Sequence, residues 1–379
     1  MGEIMKYYLI AGEASGDLHG ANLMKALKEE DSHADFRFFG GDLMQAQGGI
    51  LKKHYAKMAF MGFVEVIANL RTIFKNLKQA KQDILSYQPD ALILIDFPGF
   101  NLKIASFAKK HGIKVFYYIS PKVWAWNQKR VLKIKQVVDR LFCILPFEVD
   151  FYKTWGMDVD YVGNPLLDAI AANEIDPLFK IKHKIGYKPI IALLPGSRKQ
   201  ELKRILPDMI QVSDYFPAYQ FVIAGAPTYH LEDYQPFIGN RKIAVIFNET
   251  YNLLLYAQAA IVTSGTATLE TALLKIPQVV VYKGHYISVG IARRLVSIQF
   301  ISLVNLVMNN EVVKELIQED CNPTSIQTEL KRILHDPSYR NRMLTNYDQL
   351  AERMGKAGAS AKAAKLMHGY LRGAWCLKP

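Results

Sequence analysis

Short apolar runs rich in β-formers alternate with helical patterns along most of this chain, an order that parallel sheets covered by crossover helices satisfy and few other folds do. Runs at 7–10, 36–39, 91–95, 115–119 and 141–145 read as buried strands, with helices between them, such as 102–110 and 148–155. After Gly163-Asn164-Pro165 a polar, lysine-rich stretch interrupts the pattern as far as Pro189. It then starts afresh at 190–194, 221–224, 244–247, 260–263, 279–282 and 301–303. The expected architecture is α/β: two Rossmann-like, doubly wound domains, 1–168 and 169–336, facing one cleft, then helices over 337–379 long enough to cross back. With 379 residues, half of them hydrophobic, the chain suits two cores better than one.

Composition narrows the function. Cys143, Cys321 and Cys376 are odd in number, widely spaced and without a C-x-x-C pair, which argues against a disulfide framework or a structural zinc site. No stretch reaches the roughly 18 uninterrupted apolar residues of a membrane span. Met1 is followed by Gly-Glu-Ile-Met-Lys rather than an apolar signal core, and Lys6 stands where myristoylation wants Ser or Thr. A cytoplasmic protein, soluble or peripheral, is expected. The formal charge of +12 calls for an anionic partner: nucleic acid, a phosphorylated small molecule or an acidic membrane surface. No nucleic-acid-binding module is legible, so no nucleic-acid partner is expected.

Several strand ends carry chemistry. Residues 11–20, AGEASGDLHG, follow the first strand with Glu13, Ser15 and Asp17 in a small-residue loop whose spacing is not the dinucleotide fingerprint; the loop is either a site or a helix cap. Asp96, in IDFPGFN, ends another strand. It suits proton abstraction if partial burial lifts its pKa, and equally suits capping the helix that opens near Asn101. In SPKVWAWNQKR, Lys122, Asn127 and Arg130 suit an anionic substrate, while Trp124 and Trp126 serve equally as packing. In the second domain, Gly196, Ser197 and Arg198 place small-residue amides and a guanidinium at a helix start. Ser264, Gly265, Thr266 and Thr268 repeat the arrangement, with Glu270 able to accept ribose hydroxyls. Two such turns fit a diphosphate, although both also fit plain helix capping. Asn305 follows the last strand, where a lone asparagine is more often a turn former than a ligand.

Residues 58–81 give a different signal. Phe63, Val66, Ile67, Leu70, Ile73, Phe74 and Leu77 recur at helical spacing among Arg71, Lys75, Lys78 and Lys81, after an apolar lead-in that includes Phe60 and Met61. Such a segment is either an ordinary helix covering the sheet or an interfacial helix that meets anionic lipid and acyl chains.

The combination AGEASGDLHG, DFPGFN, SPKVWAWNQKR, LPFE (145–148), VGNPLLD (162–168), LLPGSRKQEL (193–202) and SGTATLE (264–270) resembles the lipid-A-disaccharide synthase family from residue 6 to about 320. The resemblance implies an inverting GT-B glycosyltransferase that moves 2,3-diacylglucosamine from UDP-2,3-diacylglucosamine to the 6-hydroxyl of 2,3-diacylglucosamine 1-phosphate. It further implies Asp96 as base with Glu13 the alternate, and UDP held by Arg198, the 264–268 turn and Glu270. Asn305 and Arg130 would help position donor and acceptor, and Ser15, Asp17, Lys122 and Asn127 are the further acceptor candidates. No cofactor and no metal are then expected, and Phe60, Met61, Phe63, Val66, Ile67, Leu70 and Phe74 would meet acyl chains or the inner membrane of a Gram-negative bacterium. Asn164 stands where some members have histidine, and Val304 where proline is common. Rival readings are a transferase acting on a lipid-linked peptidoglycan precursor, a UDP-N-acetylglucosamine epimerase and a non-catalytic basic binding protein.

Overall fold

A computed structural model describes residues 4–58, 70–284 and 299–373. The chain forms two compact units, Met1–Asp168 with Lys356–Pro379, and Ala169–Gly355. The helical tail is therefore divided: Pro337–Met354 stays with the second unit, and Ala359–Leu371 belongs to the first.

The first unit is a seven-stranded parallel sheet in the order β3-β2-β1-β4-β5-β6-β7. Its strands are Lys6–Ala11 (β1), Asp35–Gly40 (β2), Ile50–His54 (β3), Ala91–Ile95 (β4), Lys114–Tyr118 (β5), Arg140–Cys143 (β6) and Asp160–Tyr161 (β7). Beyond the exposed Lys6 and Lys114 that open β1 and β5, the central strands β1, β4 and β5 are apolar and buried because both faces are covered. Tyr8, Ile10, Leu92, Leu94 and Tyr117 face one core with helices Leu70–Tyr87, Pro98–Lys110 and Arg130–Val137. Tyr7, Leu9, Ile93, Ile95 and Tyr118 face the other. That second core holds helix Ala14–Glu30 and is completed by Ala363, Ala364 and Met367 of the last helix, which is why the tail is needed there. Asp168 secures it by accepting the backbone N–H groups of Gly358, Ala359 and Ser360.

The second unit repeats the plan with six parallel strands in the order β10-β9-β8-β11-β12-β13. They are Ile190–Leu194 (β8), Gln220–Gly225 (β9), Ala244–Phe247 (β10), Ala257–Thr263 (β11), Gln278–Tyr282 (β12) and Glu315–Ile317 (β13). The run at 301–303 is not a strand. Ser302 caps helix Leu303–Met308 by accepting the Asn305 amide at 3.2 Å, and the sixth strand comes later, at β13. Strands β3, β7 and β13, which the apolar runs did not announce, all lie at sheet edges, where strands are short and polar.

The helix expected over 58–81 is described from Leu70 and extends to Tyr87. Leu77, Ala80, Ile84 and Tyr87 are buried against the sheet, so Leu77 is core rather than interfacial. Leu70 and Phe74 face outward, 42% and 60% exposed. Phe60, Met61, Phe63, Val66 and Ile67 lie outside the described residues.

Candidate active site

In each unit the strand order reverses at one place, between β1 and β4 and between β8 and β11. Ligands of doubly wound sheets bind in the crevice beyond the carboxyl ends of those two strands. The principal sequence candidates stand there: Glu13 after β1 and Asp96 after β4, then Gly196–Arg198 after β8 and Ser264–Thr266 after β11.

Asp96 and Phe97 both adopt left-handed backbone, φ 42° and 50°, at a cost of about 1–3 kcal/mol each for residues with a Cβ. Surrounding bonds impose this turn. The Asp96 carbonyl accepts Asn101 Nδ2 at 2.8 Å and the Tyr117 hydroxyl at 2.5 Å, and the Asp96 amide donates to Tyr118 at 3.2 Å. The turn throws the Phe97 ring onto Gly12, leaving no room for a Cβ at that position. Asp96 is partly buried, and burial is the main cause that lifts its carboxyl to about 6; the Lys122 ammonium opposes the rise, the Glu13 carboxylate reinforces it and the Phe97 amide opposes it. A carboxylate so tuned is ionised at neutral pH yet a better proton acceptor than an ordinary aspartate. Glu13 starts helix Ala14–Glu30 without capping it through its side chain, and Ser15 is exposed on the first turn.

Lys122 rides on a loop held from beneath. Ser120 Oγ and the Tyr152 hydroxyl lie 2.8 Å apart, and Trp124 donates to Glu148 Oε1 at 3.2 Å while its ring meets Phe147 edge-on at 5.0 Å. Glu148 Oε2 accepts the amides of Ile144 and Leu145 at 3.2 and 3.0 Å. Burial pushes Glu148 up to about 7, against the pull of those hydrogen bonds. The LPFE run thus fixes the lysine-bearing loop, a role that its residue types alone do not announce.

In the second unit Gly196 has φ +92°, and the Glu201 carboxylate lies against it where a Cβ would be. Glu201 accepts the Arg198 amide at 3.1 Å and its Nη1 at 3.2 Å, so the guanidinium is tethered at its root while 63% of the side chain remains exposed. Gly265 and Thr266 are exposed at the start of helix Thr266–Leu273. Ser264 donates its hydroxyl to Ile301 at 2.9 Å. Glu270 Oε1 accepts the Tyr251 hydroxyl at 3.0 Å; burial raises the Glu270 carboxyl and that bond restrains the rise. Sequence reasoning missed Tyr251 because its partner is 19 residues away.

Three expectations are corrected. Asp17 is buried, and its carboxylate accepts the amides of Gly41, Leu43 and Met44 at 2.7, 3.1 and 3.1 Å, so it caps the helix Asp42–Ala46 instead of meeting an acceptor sugar. Asn305 is fully buried with its hydrogen-bonding capacity spent: Oδ1 accepts Val312 and Val313, and Nδ2 donates to the Val313 carbonyl and Glu315. It ties down the chain before β13. Thr268 is buried and returns its hydroxyl to the Gly265 carbonyl at 2.8 Å.

Asn127 and Arg130 line a groove of about 450 Å³ that starts at Pro98 and Gly99, just beyond the Asp96 turn. Asn164 is buried; its Oδ1 accepts the Leu166 amide at 3.0 Å and its Nδ2 donates to the Ile144 carbonyl at 3.2 Å, which holds the chain entering helix Pro165–Ala171. Among the described residues no group of three or more His, Cys, Asp or Glu could hold a metal, and no helix is long and apolar enough to cross a membrane.

Known structures share this architecture. UDP-GlcNAc 2-epimerase from Neisseria meningitidis bound to UDP-GlcNAc matches with a TM-score of 0.67 at 12% identity, covering 96% of this chain and all of that one. The calicheamicin glycosyltransferase CalG4 matches at 0.60 and 14%, covering 99% and 100%. At such identities these matches establish the fold alone. Two parallel α/β units of this order, with candidate chemistry at each reversal, make this a protein of the GT-B fold class.

The sequence pattern of the lipid-A-disaccharide synthetase family matches residues 7–367. The lipid-A-disaccharide synthase of Trichlorobacter lovleyi is 37% identical over 97% of this chain and 98% of its own length, and that of Syntrophus aciditrophicus 40% identical over 94% and 95%. This chain belongs to the lipid-A-disaccharide synthase family.

Proposed function

We propose that the chain transfers the 2,3-diacylglucosaminyl group of UDP-2,3-diacylglucosamine to the 6-hydroxyl of 2,3-diacylglucosamine 1-phosphate. The observation that carries the reading is the partly buried Asp96, tuned between Glu13 and Lys122 at the switch point of the first sheet. As the acceptor oxygen bonds to the anomeric carbon, the bond from that carbon to UDP breaks and the hydroxyl proton passes to Asp96. Attack opposite the leaving group inverts the anomeric centre and forms a β-1,6 linkage.

The second unit would hold the nucleotide. Arg198 and the amides opening helix Thr266–Leu273 face charge that grows on the departing diphosphate, while Glu270, aimed by Tyr251, accepts ribose hydroxyls. This chemistry needs neither metal nor cofactor, so turnover should survive chelation by EDTA. Outward-facing Leu70 and Phe74 on a lysine-rich helix support peripheral attachment to the cytoplasmic face of an anionic inner membrane. The test is to incubate the protein with both lipid substrates and characterise the product by mass spectrometry and NMR. A β-1,6 disaccharide 1-phosphate released with one equivalent of UDP supports the assignment; UDP-sugar epimerisation, or no product, refutes it.

A further inference from the structure

The groove beyond the Asp96 turn is strongly cationic along its described lining. Among the described residues, Lys103, Lys129, Arg130 and Lys133 line one concavity together with the polar Ser106 and Asn127, and none of the described lining residues is a carboxylate. Four like charges around one hollow repel one another, an arrangement that is relieved when an anion enters. The two helices that supply most of them, Pro98–Lys110 and Arg130–Val137, both begin at the groove, so their amino ends add to the positive field.

We propose that this groove is a phosphate-monoester site that holds the anomeric phosphate of the acceptor sugar, with Lys103 and Lys133 as specificity-determining residues. The inference rests on the transfer reaction proposed above and adds the feature by which the acceptor is chosen. A monoester is close to a dianion at neutral pH and offers three acceptor oxygens, which suits several cations better than a carboxylate or a diester does. The volume of about 450 Å³ exceeds what a phosphate alone needs and leaves room for part of a sugar ring beside Pro98 and Leu102. Two further relations fit an acylated sugar phosphate. The groove opens at Pro98, two residues from the base, and Lys103 Nζ lies 5.7 Å from the ring of the exposed Phe74, so charge and apolar surface adjoin.

The experiment compares two acceptors in detergent micelles, 2,3-diacylglucosamine 1-phosphate and the same sugar carrying a neutral anomeric O-methyl group, on the full chain and on K103A/K133A. The wild-type protein should prefer the phosphorylated acceptor, and the ratio of kcat/KM values should fall at least tenfold in the double variant, chiefly through KM. K103R/K133R should restore it. An unchanged ratio overturns the proposal. So does a variant that keeps the ratio and loses only co-sedimentation with phosphatidylglycerol vesicles, because the groove would then serve lipid headgroups. Water-soluble glucosamine 1-phosphate, titrated by NMR, separates this inference from the function it rests on: binding that K103A/K133A abolishes sustains the groove even if no disaccharide forms, and binding that persists in the variant removes it.

Discussion

The aromatic ring of Phe97 occupies the space a side chain at Gly12 would need, so the loops after β1 and β4 fit together only while position 12 is glycine. Because the left-handed turn that aims Phe97 also aims Asp96, Gly12→Ala should displace the base without touching the second unit. Turnover is expected to fall at least about tenfold, as small displacements of a catalytic group commonly cause, with UDP affinity unchanged by calorimetry. Wild-type turnover in this variant would break the link between Gly12 and the base.

The carboxylate–ammonium pair flanking Asp96 predicts the direction of pH shifts. The acid limb of kcat/KM should lie near pH 6, where the Asp96 carboxyl ionises. Removing a neighbouring negative charge favours ionisation, so Glu13→Gln should move that limb to lower pH. Lys122→Met should move it to higher pH. Limbs that stay in place in both variants would assign the titration to another group.

Asp96 also costs stability. Its carboxyl is held at about 6 against an ordinary 3.8, so between those values the native state binds more protons than the unfolded chain, and stability falls as pH rises through that window. Asp96→Asn removes this penalty. Thermal unfolding should show the variant gaining on the order of 2 kcal/mol relative to wild type between pH 4 and pH 7.5; a difference that does not change with pH would contradict the raised value.

Arg198 should act on the nucleotide. Arg198→Ala is expected to weaken UDP binding about tenfold or more, the usual scale for losing a charge-assisted hydrogen bond. Its tether to Glu201 makes a second variant informative: Glu201→Gln leaves the guanidinium charged but less oriented, and a smaller loss of affinity should follow. Equal Kd values for wild type and Arg198→Ala would withdraw the assignment.

Asn305→Ala separates structure from binding. It removes the side-chain partner of the Val313 amide and one hydrogen bond each from the Val312 amide, the Val313 carbonyl and the Glu315 carboxylate, so a loss of about 2–4 kcal/mol is expected in denaturant titration. UDP affinity per folded molecule should not change. A stable variant that loses UDP would restore the ligand role.

Residues that show their character locally were the legible ones. Central strands such as β1, β4, β8 and β11 are apolar on both faces and stand out as runs, and the loops that follow them carry Glu13, Asp96, Arg198 and Ser264 at recognisable offsets. Polar edge strands β3, β7 and β13 give no such signal, so β13 was displaced onto 301–303. Asp17, Asn305 and Thr268 read as ligands because a polar residue after a strand looks the same whether it faces a substrate or the protein's own backbone. For Asp17 and Trp124 the partners that decide the matter, Gly41 and Glu148, are long-range in sequence, whereas Asn305 and Thr268 turn to nearby backbone. The division of the tail follows from the same cause: Ala363, Ala364 and Met367 find their core only against helix Ala14–Glu30.

The central claim, that the Asp96 carboxylate takes the proton from the acceptor hydroxyl, is tested most directly by single-turnover transfer with wild type and Asp96→Asn, both saturated with UDP-2,3-diacylglucosamine and with 2,3-diacylglucosamine 1-phosphate. The account predicts that the variant binds UDP as tightly as wild type while disaccharide formation slows at least about a hundredfold, the scale of losing a general base. Transfer within a few-fold of the wild-type rate would contradict it.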